Sequence, residues 1–332
     1  LKNIGCENKL IVIAGGTGFI GQELIKYFGK ENKIIVLTRQ LPDAHNNRNH
    51  YTSLSAGDLH HVQFIKWDGI TVGEWAHAMD GSDLIINLAG KSVNCRYNEK
   101  NKREILESRT HAVQAIGAAI SQCKVPPSCW INAFSATIYR HATDRPQDEY
   151  TGDVHDDFSV RVCKEWERVF YEQAVPATRK IALRMAITLG PGGILIPYFN
   201  LLKFGLGGRQ GSGRQMFSWV HIEDTFRMIE WIYNNKDMAG TYNCCSPRPV
   251  TNKEFMDKLR KATGNKLGLP AYEWMLRLGA SLIGTEVELV LKSRWVLPTK
   301  ILQTGFSFKY PYLDAAFADI ISKVPRKQYH LF

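Results

Sequence analysis

An unbroken apolar run, Lys9-Leu-Ile-Val-Ile-Ala14, passes directly into Gly15-Gly16-Thr17-Gly18-Phe19-Ile20-Gly21. Five aliphatic residues in a row suit a strand buried on both faces. Glycines spaced GxxGxxG after such a strand, where a helix opens, permit a tight turn and close approach of backbone N–H groups to a bound pyrophosphate. The helix N-terminus adds a favourable dipole. A bare glycine triplet carries little weight. At the first strand–helix junction of a βαβ unit it points strongly to a dinucleotide site.

The rest of the first half repeats the alternation that makes a parallel sheet. Strands are expected at Lys33 to Thr38, Val62 to Lys66, Leu84 to Leu88 and Cys129 to Phe134. A long helix is expected from Asn101 to Cys123, stopped by Val125-Pro126-Pro127. Phe158 to Ala174 reads as another helix, with Phe158, Val162, Trp166, Val169 and Phe170 on one face. Arg179 to Leu189 and Gly240 to Cys244 read as the sixth and seventh strands. The fold class is α/β: a Rossmann-type doubly wound parallel sheet with a smaller C-terminal substrate lobe. Residues 8–189 and 215–247 are expected to form the nucleotide-binding domain, and 190–214 with 248–332 the lobe. In the lobe, Thr251 with Glu254 forms a capping box, Gly264 ends the helix, and Leu313, Ala316, Phe317 and Ile320 mark a last amphipathic helix. Trp274, Met275, Leu278 and Leu282 read as a helical core stripe.

The second strand ends Val36-Leu37-Thr38-Arg39. An NAD site usually has Asp or Glu there for the ribose 2′-hydroxyl. Arginine instead suits a 2′-phosphate by charge and bidentate geometry, so NADP(H) is the expected cofactor. The net charge of +10 on 332 residues agrees with an anionic ligand. No dense Lys/Arg block is interleaved with aromatics, so a nucleic-acid partner is not expected. Neither is a membrane span, because the longest apolar stretches are broken by Pro197 and Lys203 or carry Glu273, Arg277, Glu286 and Glu288. The N-terminal residues lack a signal-peptide pattern. Seven cysteines without metal spacing predict reduced thiols, a cytoplasmic location and no metal site.

Gly15 to Gly21, Asn87-Leu88-Ala89-Gly90 and Ser135-Ala-Thr-Ile-Tyr139 resemble the extended and atypical short-chain dehydrogenases/reductases. Gly205-Leu-Gly-Gly208, Gly211-Ser-Gly-Arg-Gln215, Ser218-Trp-Val-His-Ile-Glu-Asp224, Val250-Thr-Asn-Lys-Glu-Phe255, Val296-Leu-Pro298 and Gly305-Phe306 narrow the resemblance. It is to the YfcH-like group, whose members bear the label "epimerase family protein" and a C-terminal domain of unassigned role. The resemblance runs from about Leu10 to Phe317. It implies NADP(H) binding, with Gly15, Thr17, Gly18, Phe19 and Ile20 on the pyrophosphate and Thr38 and Arg39 at the 2′-phosphate. It implies Asp68 near the adenine, Leu88 and Ala89 along the nicotinamide ribose, and Glu104 and Arg109 as further candidates.

Enzymes of this superfamily use a Tyr-x-x-x-Lys pair on the helix after the fifth strand. The lysine lowers the tyrosine pKa, and the spacing puts both on one helix face. No tyrosine in this chain has lysine four residues on. Aligning Glu167 with the acid often found on this helix puts Ser159 and Cys163 at the vacant positions. A gap-free count from Ser135 puts Val160 and Lys164 there instead. Helical geometry favours the first register, because Lys164 falls about 200° from Val162 at the centre of the apolar face. Ser135 stands where the superfamily's serine stands, and Tyr139 is the best remaining hydroxyl. These two are the catalytic candidates. His221 is expected to join a strand to the next helix rather than to catalyse. Arg209 and Arg214 in the glycine-rich lobe segment suggest a small-molecule substrate with an anionic edge. Two functions fit: an NADPH-dependent oxidoreductase or epimerase-like enzyme, and a non-catalytic NADP(H)-binding sensor or scaffold.

Overall fold

A computed structural model describes residues 6–42, 54–55, 57–283, 286 and 288–330. Seven of its strands form one parallel sheet: β1 (Leu10–Ala14), β2 (Lys33–Thr38), β3 (Val62–Lys66), β4 (Leu84–Asn87), β5 (Cys129–Ser135), β6 (Arg179–Met185) and, after three short strands, β10 (Gly240–Cys244). Their order is β10-β6-β5-β4-β1-β2-β3. The short strands are β7 (Ile187–Leu189), β8 (Met216–Phe217) and β9 (Trp219–His221), with β11 (Val250–Thr251) beyond β10. The sequence suggested one strand from Arg179 to Leu189. The chain instead leaves the sheet at Ala186, and β7 pairs in parallel with β9.

Helices cover both faces of the sheet. One face packs on α1 (Phe19–Phe28) and α5 (Ile222–Asn234) through Leu24, Ile25, Phe28, Phe226, Ile229 and Ile232. The other packs on α2 (Glu99–Ser121) and α3 (Phe158–Glu172) through Val113, Ile116, Ile120, Trp166, Val169 and Phe170. Alternate residues of each strand feed the two cores, as strand period requires: Ile11 and Ile13 to one, Val12 and Ala14 to the other.

A third apolar cluster stands apart from these two. It joins α4 (Leu195–Lys203), α6 (Asn252–Thr263) and α10 (Leu313–Ser322) with Phe217 and Trp219. The expected caps on α6 are present: Thr251 Oγ1 accepts from Glu254 N at 3.2 Å, and Gly264 is left-handed at φ 72°. The helix α7 (Glu273–Ile283) corrects one expectation. Trp274 and Leu278 are 66% and 56% exposed, so these two positions are not core, while the Leu282 side chain lies outside the described residues. Helical spacing sets out an apolar stripe but does not decide whether another element covers it. After α8 (Glu288–Leu291), residues 292–298 run alongside Gln147, ahead of α9 (Thr299–Gln303). There Gln147 N donates to Trp295 O at 2.7 Å, and Leu297 N donates to Gln147 O at 2.9 Å.

His221 is a structural residue at the β9–α5 junction. Its Nδ1 caps α5 by accepting from Glu223 N at 3.2 Å, and its Nε2 lies 3.1 Å from Asp319 Oδ2 on α10. Burial pushes its pKa down to about 4, against the partial opposition of Asp319 and Glu223. An unfolded histidine protonates near pH 6.5, so on acidification the unfolded chain takes up this proton first. The contribution is complete above about pH 6.5 and is lost as pH falls toward 4. The melting-temperature gap between wild type and His221→Gln should therefore narrow from pH 7 to pH 4.5. A gap that stays constant overturns this reading.

Candidate cofactor and substrate site

The glycine turn connects β1 to α1 and rests on the end of β4. Gly15 has φ 79°, and a Cβ there would lie 2.9 Å from Ala89 N and Leu88 C. A Cβ on Gly21 would lie 2.5 Å from Gly16 Cα. The chain itself requires glycine at both positions. Gly18 is different. Its φ of −73° and ψ of 169° suit any L-residue, and a Cβ there would meet nothing nearer than Gly15 O at 3.7 Å. Neither backbone conformation nor packing calls for glycine at this exposed position. A side chain would instead fill the space over the α1 N-terminus. The first-turn N–H groups of Phe19, Ile20 and Gly21 precede the helix's first bond, Gln22 N to Gly18 O at 2.9 Å. These features fit a pyrophosphate cradle. Thr17 helps to shape it, its carbonyl accepting from Gln22 Nε2 at 2.8 Å. The Phe19 ring lies against the backbone of Gly190, Gly192 and Gly193 and joins the turn to the start of the lobe.

Thr38, Arg39 and Asp68 come together at the C-terminal ends of β2 and β3. Buried Thr38 folds its hydroxyl onto Gln40 O at 2.9 Å, which leaves Arg39 exposed. Arg39 and Asp68 line one open pocket with Trp67, Thr71 and Trp75. Asp68 accepts from Ile70 N, Thr71 N and Thr71 Oγ1 at 2.6–2.9 Å. Led by the Thr71 hydroxyl, these bonds hold its pKa below the usual carboxylate value.

Leu88 and Ala89 follow β4, fixed by Leu88 N to Ala14 O at 2.8 Å and Ala89 N to Asn87 Oδ1 at 3.0 Å. Glu104 and Arg109 on α2 part company. The Glu104 carboxylate binds Lys91, which also reaches Asn101 at 2.8 Å, so Glu104 fastens the loop after β4 to α2. Arg109 lies over Gly90, where a Cβ would stand 3.2 Å from its Cζ. It stacks 5.2 Å from the Trp166 ring and donates to Ile105 O at 2.8 Å. Burial lowers its pKa, and no described carboxylate forms an ion pair with it.

Ser135 ends β5 half-buried. Its Oγ accepts from Thr137 N at 3.2 Å, which leaves its proton available to a ligand. Tyr139 departs from the expectation of a hydroxyl in the cleft. It is 3% exposed, donates to Asn243 Oδ1 at 3.0 Å and accepts from Arg184 at 2.8 Å. Arg184 in turn makes a bidentate pair with Glu167, both bonds at 2.7 Å. Burial pushes the Tyr139 phenol up to about 12. It is a packing residue whose hydrogen-bonding capacity serves a buried ion pair.

The α3 register agrees with Ser159 and Cys163 facing inward: Cys163 is buried and Lys164 exposed. Burial pushes the Cys163 thiol up to about 12, so it is a poor nucleophile and a poor acid. Of the lobe arginines, Arg209 binds Gly211 O in its own loop, and Arg214 is exposed.

Two residues not singled out in the sequence pack near the end of β5 and the start of α3. Tyr97, from the loop after β4, packs its ring 5.1 Å from Phe158 and has the Ser159 side chain as a hydrogen-bond partner. Arg294, from segment 292–298, donates Nε to Thr137 Oγ1 at 3.3 Å. A spacing rule could not have found either, because their partners lie 62 residues away along the chain for Tyr97 and 157 for Arg294.

Residues 11–245 match the model of the NAD dependent epimerase/dehydratase family. The chain belongs to that family. Residues 273–320 match a domain of unknown function, DUF1731. The Bacillus subtilis relative "Epimerase family protein YfhF" is 30% identical over 312 residues, covering 94% of this chain and 98% of the relative. The mouse relative "Epimerase family protein SDR39U1" is 27% identical over 320 residues, covering 94% and 99%. Among solved structures, human epimerase family protein SDR39U1 with NADPH superposes with a TM-score of 0.80 at 26% identity, over 94% of this chain and 99% of that one. A UDP-N-acetylglucosamine 4-epimerase from Methanobrevibacter ruminantium shares the fold at 13% identity, with a TM-score of 0.72. The family model covers residues 11–245, and the likeness to the relatives runs over nearly the whole chain.

Proposed function

We propose that the chain is an NADP(H)-dependent oxidoreductase that reduces a carbonyl group of a small anionic molecule, without the Tyr-x-x-x-Lys pair. Gly18 carries this reading: the chain needs no glycine there, and a pyrophosphate does. Gly15, Thr17, Gly18, Phe19 and Ile20 then form the pyrophosphate cradle, and Arg39 beside Thr38 takes the 2′-phosphate. Asp68 borders the adenine, Leu88 and Ala89 line the ribose, and Arg109 braces that segment through Gly90. The human relative crystallised with NADPH supports the choice of phosphorylated dinucleotide.

NADPH held by these residues would supply the hydride for the carbonyl carbon. Ser135 orients the carbonyl by donating its proton to the oxygen. Tyr139 is withdrawn as proton donor because Asn243 and Arg184 occupy its hydroxyl. The proton comes from solvent through the Ser135 hydroxyl. Without a lowered-pKa phenol the site lacks a base for oxidation at neutral pH, so reduction is the favoured direction.

Two measurements test this. NADPH should bind more tightly than NADH in fluorescence titrations. Arg39→Ala should remove about 1.5–3 kcal/mol from NADPH binding and little from NADH. Equal affinity of the wild type for both cofactors overturns the assignment. In a screen of carbonyl compounds with NADPH, Ser135→Ala should lower kcat/KM on any hit by roughly 10²-fold. Tight NADPH binding with no turnover on any carbonyl would favour a cofactor-binding sensor instead.

A further inference from the structure

The two strands at one edge of the sheet each end in a cation without a partner. β2 and β3 pair in parallel with Thr38 opposite Lys66, and Trp67 N donates to Thr38 O at 3.0 Å. Arg39 and Lys66 therefore stand at the C-terminal ends of neighbouring strands. Both are exposed, and neither forms a hydrogen bond or an ion pair with another described residue. Both line the same open pocket of about 610 Å³. That volume lies in the range usual for small-ligand sites. Trp67 and Trp75 form part of its wall, edge to face with ring centres 5.3 Å apart.

The described lining residues carry two further charges, on Asp68 and Glu74. Asp68 is occupied by Ile70 N, Thr71 N and Thr71 Oγ1. Glu74 is exposed in the first turn of a short 3-10 helix, Glu74–Ala78. Two cations and two carboxylates balance, so net charge does not select the ligand here. Directed donors and acceptors do. Both signs beside indole rings suit a base with an amino donor joined to a phosphate better than a simple anion. Thr38 adds no donor for that phosphate, because its hydroxyl proton goes to Gln40 O at 2.9 Å. A phosphate monoester presents three acceptor oxygens. The Arg39 fork matches two of them, and a compact ammonium on the neighbouring strand suits the third.

We infer that Lys66 is the second cation of the 2′-phosphate subsite and shares with Arg39 the selection of NADP(H) over NAD(H). This rests on the NADP(H)-dependent reading above. The edge strand β3 thereby joins β2 in choosing the cofactor.

The test uses the full chain, with NADPH, NADH, adenosine 2′-monophosphate and adenosine 5′-monophosphate titrated by fluorescence. Lys66→Gln should weaken NADPH roughly 3- to 10-fold, between the effect of an exposed ion pair and that of a hydrogen bond to a charged group. Adenosine 2′-monophosphate should weaken in step. NADH and adenosine 5′-monophosphate should change less than about twofold. Lys66→Arg keeps the charge and should stay near the wild type. Thermal melting should be unchanged in both variants, because the fold asks nothing of this side chain. A folded Lys66→Gln protein with the wild-type preference for NADPH overturns the inference and leaves the NADP(H) reading intact. Equal losses for NADPH and NADH overturn it, as does a loss for NADPH that adenosine 2′-monophosphate does not share. A Lys66→Arg protein as impaired as Lys66→Gln overturns it as well. A wild type that binds both dinucleotides equally removes the 2′-phosphate selection assigned to Arg39, and this inference with it.

Discussion

Gly18→Val is expected to abolish NADPH binding while leaving the fold in place. Beyond its chain neighbours, a Cβ there would meet nothing nearer than Gly15 O at 3.7 Å, so the Cβ itself is accommodated. Its backbone angles are already those of an ordinary N-cap residue. Valine is a poorer N-cap than glycine, so a stability loss of about 1 kcal/mol or less is expected. The two γ-methyl groups would then stand over the first turn of α1, between its N–H groups and any phosphate. Losing two charge-assisted hydrogen bonds of about 1.5–3 kcal/mol each weakens binding by on the order of 10²-fold or more. Fluorescence titration with NADPH measures the affinity, and thermal melting checks the fold. Undiminished NADPH affinity in the folded variant would reduce the glycine run to a turn and remove the central support for the proposed function.

The second large effect concerns stability. Glu167→Ala should destabilise the protein by about 3–5 kcal/mol, the usual cost of breaking a buried ion pair by deleting one member. Glu167 and Arg184 retain side-chain exposures of only 10% and 14%. Without the carboxylate, Arg184 would keep one neutral partner, Tyr139, whose hydroxyl is tied to Asn243. Asn243 in turn donates to Leu297 O at 2.9 Å. The loss would therefore spread through α3, β5, β6, β10 and segment 292–298, and should appear as a lower melting temperature and denaturant midpoint. Tyr139→Phe removes one hydrogen bond and should cost about 1 kcal/mol. On any carbonyl substrate found, Tyr139→Phe should leave kcat within a few-fold of wild type. Loss of turnover at unchanged stability would restore Tyr139 as the proton donor. A Glu167→Ala protein as stable as wild type would show that the ion pair is not what holds this corner together.

The first βαβ unit, the parallel sheet and the glycine turn at their junction were legible in the sequence alone. These features are local. The Gly15–Gly21 turn needs its residue types within seven positions, and the Thr38-Arg39 strand end is a single step of the chain. Aliphatic runs such as Leu10–Ala14 declare strands buried on both faces. The absence of a Tyr-x-x-x-Lys pair was equally legible, because it is a question of spacing. Which side chains turn inward and which stay at the surface became visible only from contacts between distant segments. Tyr139 looked like a cleft hydroxyl from its place after β5, yet Arg184, 45 residues away, and Asn243, 104 away, turn it into a buried network. Arg294 reaches Thr137 across 157 residues. Trp274 and Leu278 keep the spacing of a core stripe and remain exposed, because burial depends on a neighbouring element and not on the helix itself. Local periodicity records how a segment folds. Contacts between segments far apart in the chain, such as those of Tyr139 and Arg294, leave no period to read.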